Sequence, residues 1–332
     1  SIVITISPDV RGSAMNSKPL PRGVVASSVT PFDAGGGVEH ARIKPHIDWL
    51  IEEGVAGLSP LGSAGEFFAM ELADRKRVLE SVVAANDGRV PIMAGTHHYS
   101  TRMTVELSRH AEKAGADSLL IVPPYYGLPT PSEVMDHYRR IAEAVSIPIV
   151  LYHNSGSTSV DLNTEEIWTL WEEKAIAGIK YSHLMPDRLV ELLQRGEPRL
   201  QIYAGIDYVA FEALCHGADG WISAIPRITP AAAMRLFRTI ADDGDLSSAR
   251  EQWKKLAPLM RFVFRASHIV RGDGAHWAAL MKAALNMIGP PVGDAQAPVQ
   301  TLSPDVAATL AGMLSDLGYK VNRRGFAGGC LV

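Results

Sequence analysis

The chain has 332 residues, 20% of them charged and 47% apolar, with a formal net charge of −4. This is ordinary globular composition, which excludes a disordered chain, and the charge offers no basic field for a phosphate backbone. Two cysteines, Cys215 and Cys330, exclude a disulfide framework or a thiolate metal cluster, and every apolar run falls short of the roughly 18 residues a membrane span needs. The expectation is a soluble, cytoplasmic protein that binds neither nucleic acid nor membrane.

Ser1–Arg22 lacks the charged start and apolar stretch of a secretory signal, so residues 1–20 read as an N-terminal extension. From Gly23 a short apolar run, a loop and a helical stretch recur in turn. The predicted strands are Gly23–Thr30, Gly54–Leu61, Val90–Thr96, Ser118–Pro124, Pro148–His153, Ile176–Ser182, Leu200–Gly205 and Gly220–Ile225. They alternate little, as strands covered by helices on a parallel sheet should. The predicted helices between them are His40–Glu53, Asp74–Asn86, Arg102–Ala114, Ser132–Ala144, Thr164–Glu173, Met185–Arg195 and Tyr208–His216. Gly54, Gly88, Gly115 and Gly217 follow helix ends, where a left-handed stop is useful. Eight such units, with no glycine-rich phosphate loop after the first, predict an α/β fold: a closed (β/α)₈ barrel. The barrel is expected over residues 21–226, C-terminal helices completing and extending it over 227–320, and a tail over 321–332.

A barrel carries its chemistry where strands end, on the loops that follow them. The sixth run, Ile176–Ser182, holds Lys180 among apolar and small neighbours. Desolvating an ammonium lowers its pKa, which is what an amine nucleophile requires. A buried lysine paired with a carboxylate is the other reading of the same pattern. Tyr152 stands next to last in the fifth run, before His153; a phenol facing the barrel mouth beside Lys180 can carry protons, whereas one facing outward is core. The second run leads into Gly62-Ser63-Ala64-Gly65-Glu66, a turn able to aim backbone N–H groups at an anion or to serve simply as a strand-to-helix connection.

Together, Thr30-Pro31-Phe32, Gly62-Ser63-Ala64-Gly65-Glu66, Pro124-Tyr125-Tyr126, Tyr152 and Gly178-Ile179-Lys180 resemble the dihydrodipicolinate synthase / N-acetylneuraminate lyase family. The resemblance runs from Pro21 to Leu317 and keeps the register, with 89 positions from Ser63 to Tyr152 and 28 from Tyr152 to Lys180. It implies Schiff-base lyase or aldolase chemistry on pyruvate or a 2-keto acid. Lys180 would form the imine, Tyr152 shuttle protons and Ser63 relay them, with the backbone of Ser63 and Ala64 and the preceding Gly62 holding the keto-acid carboxylate. Tyr126 matches a relay residue inserted across a tight dimer interface, and Gly205 and Ile222 match pocket-lining positions. The resemblance also implies a homotetramer built from tight dimers, with no metal or organic cofactor.

Departures bear on the second substrate. The turn has Ala64 where a second hydroxylated residue is usual, and Ser157 stands where synthases place an acceptor-binding arginine. Arg227, just past the eighth run, is the nearby cation able to substitute from another loop. A 2-keto-3-deoxy sugar acid or related aldol is therefore expected over aspartate semialdehyde. His98 and His153 are the expected specificity residues. His97, His98, His153 and His183 also suggest a metal-dependent barrel, but no H-x-H or H-E-x-x-H spacing supports it. A keto-acid dehydratase, a genuine 4-hydroxy-tetrahydrodipicolinate synthase and a non-catalytic binding barrel are the remaining alternatives.

Overall fold

The computed structural model describes residues 19–195, 197–265 and 275–322. The expected extension up to residue 18 and the tail from residue 323 lie outside the described residues.

The eight predicted runs are all strands: β1 (Gly23–Ala26), β2 (Gly57–Leu58), β3 (Met93–Gly95), β4 (Ser118–Ile121), β5 (Ile149–His153), β6 (Gly178–Tyr181), β7 (Gln201–Ala204) and β8 (Gly220–Trp221). They pair in parallel in the order β2-β1-β8-β7-β6-β5-β4-β3, and a bridge from Leu58 to Ile92 brings the two ends of the sheet together. Each strand is shorter than its apolar run, because residues at one or both ends of the run lie outside the ladder, in the adjoining loops. Pro60 limits β2 in this way, and Pro123 follows β4 closely, since proline has no N–H to donate.

Helices α1 (Ile43–Glu52), α2 (Leu72–Asn86), α3 (Thr101–Ala114) and α4 (Pro131–Ala142) follow the early strands. A short α5 (Ser155–Thr158), then α6 (Thr164–Glu172), α7 (Asp187–Gln194) and α8 (Ala210–Cys215) complete the next units. Thr130 before α4 and Asn163 before α6 form capping boxes with Glu133 and Glu166, so these starts are written in the sequence. The four glycines expected to stop helices all have positive φ, between 69° and 104°. Beyond β8 come α9 (Ala224–Ile228), α10 (Pro230–Ala241), α11 (Leu246–Phe264), α12 (Trp277–Ile288) and α13 (Pro304–Asp316). Helix α10 packs on β1 as the eighth barrel helix, so the C-terminal segment completes the barrel before extending it.

Two apolar layers result. Alternate strand residues such as Ile149, Leu151 and Ile179 join the helices in the outer core. Val25, Met93, Leu120, Val150, Tyr152 and Tyr203 fill the barrel interior, together with Leu20. Leu20 was expected in the extension and instead belongs to the barrel. Neighbouring Pro21 accepts a 2.7 Å hydrogen bond from the Tyr203 hydroxyl, which fixes the segment there.

Candidate active site

Strand parity decides which groups meet. On β5 and β6, Tyr152 pairs with Lys180 and His153 with Tyr181. Successive side chains point to opposite faces, so the first pair enters the barrel and the second faces the helices. Lys180 is only 5% exposed, and its Nζ lies 3.7 Å from the centroid of the Tyr152 ring. Both side chains line a cavity of about 440 Å³, walled also by Ser63, Ala64, Gly205 and Ser157.

The charges in this cavity act on one another. Burial lowers the Lys180 pKa, with Tyr152 and Asp207 pulling the other way and Arg227 reinforcing the drop. Burial alone would raise the Tyr152 phenol. The Lys180 charge, hydrogen bonding from Lys180 and Ser63, and the Arg227 charge outweigh it and hold the phenol below its usual range. The two groups are coupled: burial favours the neutral amine, while a charged amine favours the phenolate, so a proton can pass between them. Asn154 Nδ2 also donates to the Tyr152 hydroxyl at 3.4 Å.

The Gly62–Glu66 segment is a tight turn held by Gly65 N–H to Gly62 O (2.9 Å) and Glu66 N–H to Ser63 O (3.0 Å). These bonds use the N–H groups of Gly65 and Glu66, not those of Ser63 and Ala64. Leu61 and Glu66 flank the turn with φ of 59° and 52°, left-handed values that non-glycine residues adopt at a cost of about 1 kcal/mol. Gly62 is buried within the turn, off the cavity wall. Gly205 cannot be otherwise: a Cβ there would sit 2.0 Å from Ser182 Oγ.

Several expected site residues lie elsewhere. His153 is fully buried on the outer face of β5, stacked on Tyr181 with centroids 5.4 Å apart, and its Nε2 is 3.1 Å from Asp161 Oδ1. It cannot choose a substrate because parity turns it away from the cavity. His98 is committed to the start of α3, where its Nδ1 accepts from Ser100 N–H at 3.0 Å, and it does not reach the wall. Ile222 is packed in the barrel interior with Tyr152 and Tyr203 rather than on the wall. Tyr125, not Tyr126, lines the cavity of this chain; Tyr126 is 84% exposed.

The structure adds groups that the motif reading left out or underweighted. Asp207 follows β7, lines the cavity and is 8% exposed. Burial raises its pKa against hydrogen bonds from Ser223 and the Ile225 N–H and the nearby Arg227 charge. Its signal was its place two residues after Gly205, at a strand end. Arg227 and Trp277 also line the cavity. Among the described residues no three His, Cys, Asp or Glu side chains are grouped to hold a metal ion, and no helix is long and apolar enough to cross a membrane.

Comparison with known proteins agrees with this geometry. The dihydrodipicolinate synthetase family description matches residues 20–317. A 4-hydroxy-tetrahydrodipicolinate synthase of Pelobacter propionicus is 32% identical over 90% of this chain and 99% of its own length. Another, from Bradyrhizobium diazoefficiens, is 35% identical over 76% of this chain and 85% of its own. Among solved structures, a dihydrodipicolinate synthase from Acinetobacter baumannii complexed with pyruvate superposes with a TM-score of 0.80 at 31% identity, covering 90% of this chain and 100% of that one. A prophage protein of E. coli K12, also in complex with pyruvate, gives a TM-score of 0.83 at 28% identity over 90% of this chain and 99% of its own. With its barrel, its paired Lys180 and Tyr152 and these matches along most of its length, the chain belongs to the dihydrodipicolinate synthetase family.

Proposed function

We propose that this protein is a Schiff-base lyase of the class I aldolase type, in which Lys180 forms an imine with the keto carbon of pyruvate or of a 2-keto-3-deoxy acid. The observation that carries the reading is the buried Lys180 amine 3.7 Å from the Tyr152 ring centroid. The neutral amine adds to the keto carbon, and the carbinolamine loses water as Tyr152 delivers a proton to the departing hydroxyl. Ser63, hydrogen-bonded to Tyr152, relays that proton. The iminium then accepts the electron pair of a bond broken beside it, or releases a C3 proton to give the enamine that attacks an aldehyde. The Ser63 and Ala64 N–H groups hold the keto-acid carboxylate throughout. No step calls for a metal or an organic cofactor. A tetramer of tight dimers would let Tyr126, so exposed here, join the relay of a neighbouring site.

Ser157 on α5 lines the cavity and offers only a hydroxyl. The acceptor subsite therefore suits a neutral, hydroxylated aldehyde or sugar-acid chain over aspartate semialdehyde. The test is pyruvate with borohydride, read by intact mass and peptide mapping, followed by kcat/KM across 2-keto-3-deoxy acids and aldehydes. One adduct per chain on Lys180 is expected, and Lys180→Ala should abolish it. No adduct on the wild-type protein refutes the mechanism. Aspartate semialdehyde as the best acceptor would refute the specificity alone.

A further inference from the structure

Among the described residues, the buried cation Arg227 has no carboxylate within 4.0 Å. It sits on α9, is 6% exposed, and lines the same cavity as Lys180. Its Nε donates to the backbone oxygen of Ser27 at 2.7 Å, which fixes the plane of the guanidinium. Among the described residues its two Nη groups have no hydrogen-bond partner. Asp207 is close enough to be felt but makes no hydrogen bond to the guanidinium; its Oδ1 accepts from Ser223 and from the Ile225 N–H. Burial lowers the Arg227 pKa to about 10, against the pull of Asp207 and Tyr152, so the group remains charged near neutral pH.

A buried charge left without a partner is costly, so such groups are usually paired or reserved for a ligand. An anion entering the cavity would meet the Nη groups of Arg227. Every 2-keto acid brings one such group, its carboxylate, whatever the rest of the molecule contains. The position of Arg227 agrees. Ser27 follows β1, which pairs directly with β2, and β2 leads into the Ser63–Ala64 turn. That turn carries a methyl group at Ala64, which can donate nothing to a carboxylate.

We propose that the Arg227 guanidinium binds the carboxylate of the 2-keto acid beside the Ser63–Ala64 turn, supplying by charge the side-chain contact that Ala64 lacks. The inference rests on the imine reading and deepens it. The keto-acid subsite then discriminates by charge: a neutral ketone of the same size loses the contact.

The experiment compares borohydride trapping of pyruvate and of pyruvamide, each titrated to half-saturation and read by intact mass. It uses the wild-type protein, Arg227→Gln and Arg227→Lys. Losing a charge-assisted hydrogen bond should raise the pyruvate half-saturation concentration roughly ten- to a hundredfold in Arg227→Gln. Pyruvamide should change by less than about threefold, because it never had the charge–charge contact. Arg227→Lys keeps the charge but loses the planar fork, so a smaller rise confined to pyruvate is expected. This second variant carries the test if Arg227→Gln does not fold.

An unchanged pyruvate half-saturation in both variants overturns the proposal, as does an equal loss for pyruvate and pyruvamide, which would mark a packing role. Unchanged pyruvate trapping with loss of turnover only for acceptors that carry their own carboxylate also overturns it, moving Arg227 to the acceptor. Failure of the wild-type protein to form any adduct instead refutes the imine itself, so the two readings fail separately.

Discussion

Removing Lys282 should destabilise the support of the Gly62–Glu66 turn. Lys282 lies on α12 and Glu66 closes the turn, each side chain 2% exposed, with Nζ 2.8 Å from Oε1. The ammonium also donates to Asp294 O at 2.8 Å and lies 4.1 Å from the centroid of the Phe32 ring. The other Glu66 oxygen accepts from Gln296 N–H at 2.7 Å. Lys282→Met keeps most of the stem but leaves the Glu66 carboxylate buried beside an apolar group. Breaking one side of a buried pair costs about 3–5 kcal/mol, more than the 1 kcal/mol or so of a typical surface pair. Glu66→Gln with Lys282→Met removes both charges and should recover more than about 1 kcal/mol of that loss. The assay is urea unfolding followed by far-UV circular dichroism, closed as a double-mutant cycle. Because Glu66 holds its left-handed backbone next to Ser63 and Ala64, Lys282→Met should also raise the half-saturation for pyruvate trapping. A single variant within about 1 kcal/mol of wild type refutes the reasoning, as does a double variant equal to the sum of the singles.

Tyr152→Phe should preserve the cavity yet lower kcat by roughly 10²–10⁴, the worth of a placed proton carrier; an unchanged kcat places the shuttle elsewhere. Burial first of all keeps His46, His137 and His153 neutral, with pKa values lowered to about 3, 4 and 4. Their folded values lie below the unfolded one, so protons bind the unfolded chain first. Stability is complete above about pH 6.5 and falls as pH drops toward 4, by about 1.4 kcal/mol per unit for each histidine. Denaturation midpoints equal at pH 7.5 and 5 would contradict this. Light scattering at assay concentration should find at least a dimer, and a fully active monomer would leave exposed Tyr126 without a catalytic part.

The alternation of strands and helices was legible because covered parallel strands must be apolar on both faces, which makes each a continuous run bounded by turn residues. Helix stops were equally plain, since Gly54, Gly88, Gly115 and Gly217 supply a backbone conformation that other residues adopt at a cost. Strand length was not legible. Composition does not say where the ladder ends and the loop begins, so Gly54–Leu61 shrank to the two residues of β2. Leu20 was hidden for a related reason: one apolar residue beside a proline has no periodicity, and only the closed barrel gives it an interior to fill.

In the site, what the sequence could place followed the rule of two. Tyr152 and Lys180 share a face once β5 and β6 pair in register, and the same rule sends the adjacent His153 and Tyr181 to the other face. His153 was therefore excluded by its neighbour: accepting Tyr152 as inward already committed His153 outward. No such parity governs loops. Tyr125 and Tyr126 follow β4 in irregular backbone, and nothing in the pair itself says which ring meets the cavity. Asp207 and Arg227 likewise come from loops or short helices after β7 and β8, far apart along the chain from Lys180. Their meaning is electrostatic and appears only when the barrel gathers them around one amine. There Arg227 reinforces the fall in the Lys180 pKa that burial begins, while Tyr152 and Asp207 oppose it, so residues outside any single motif also act on the lysine.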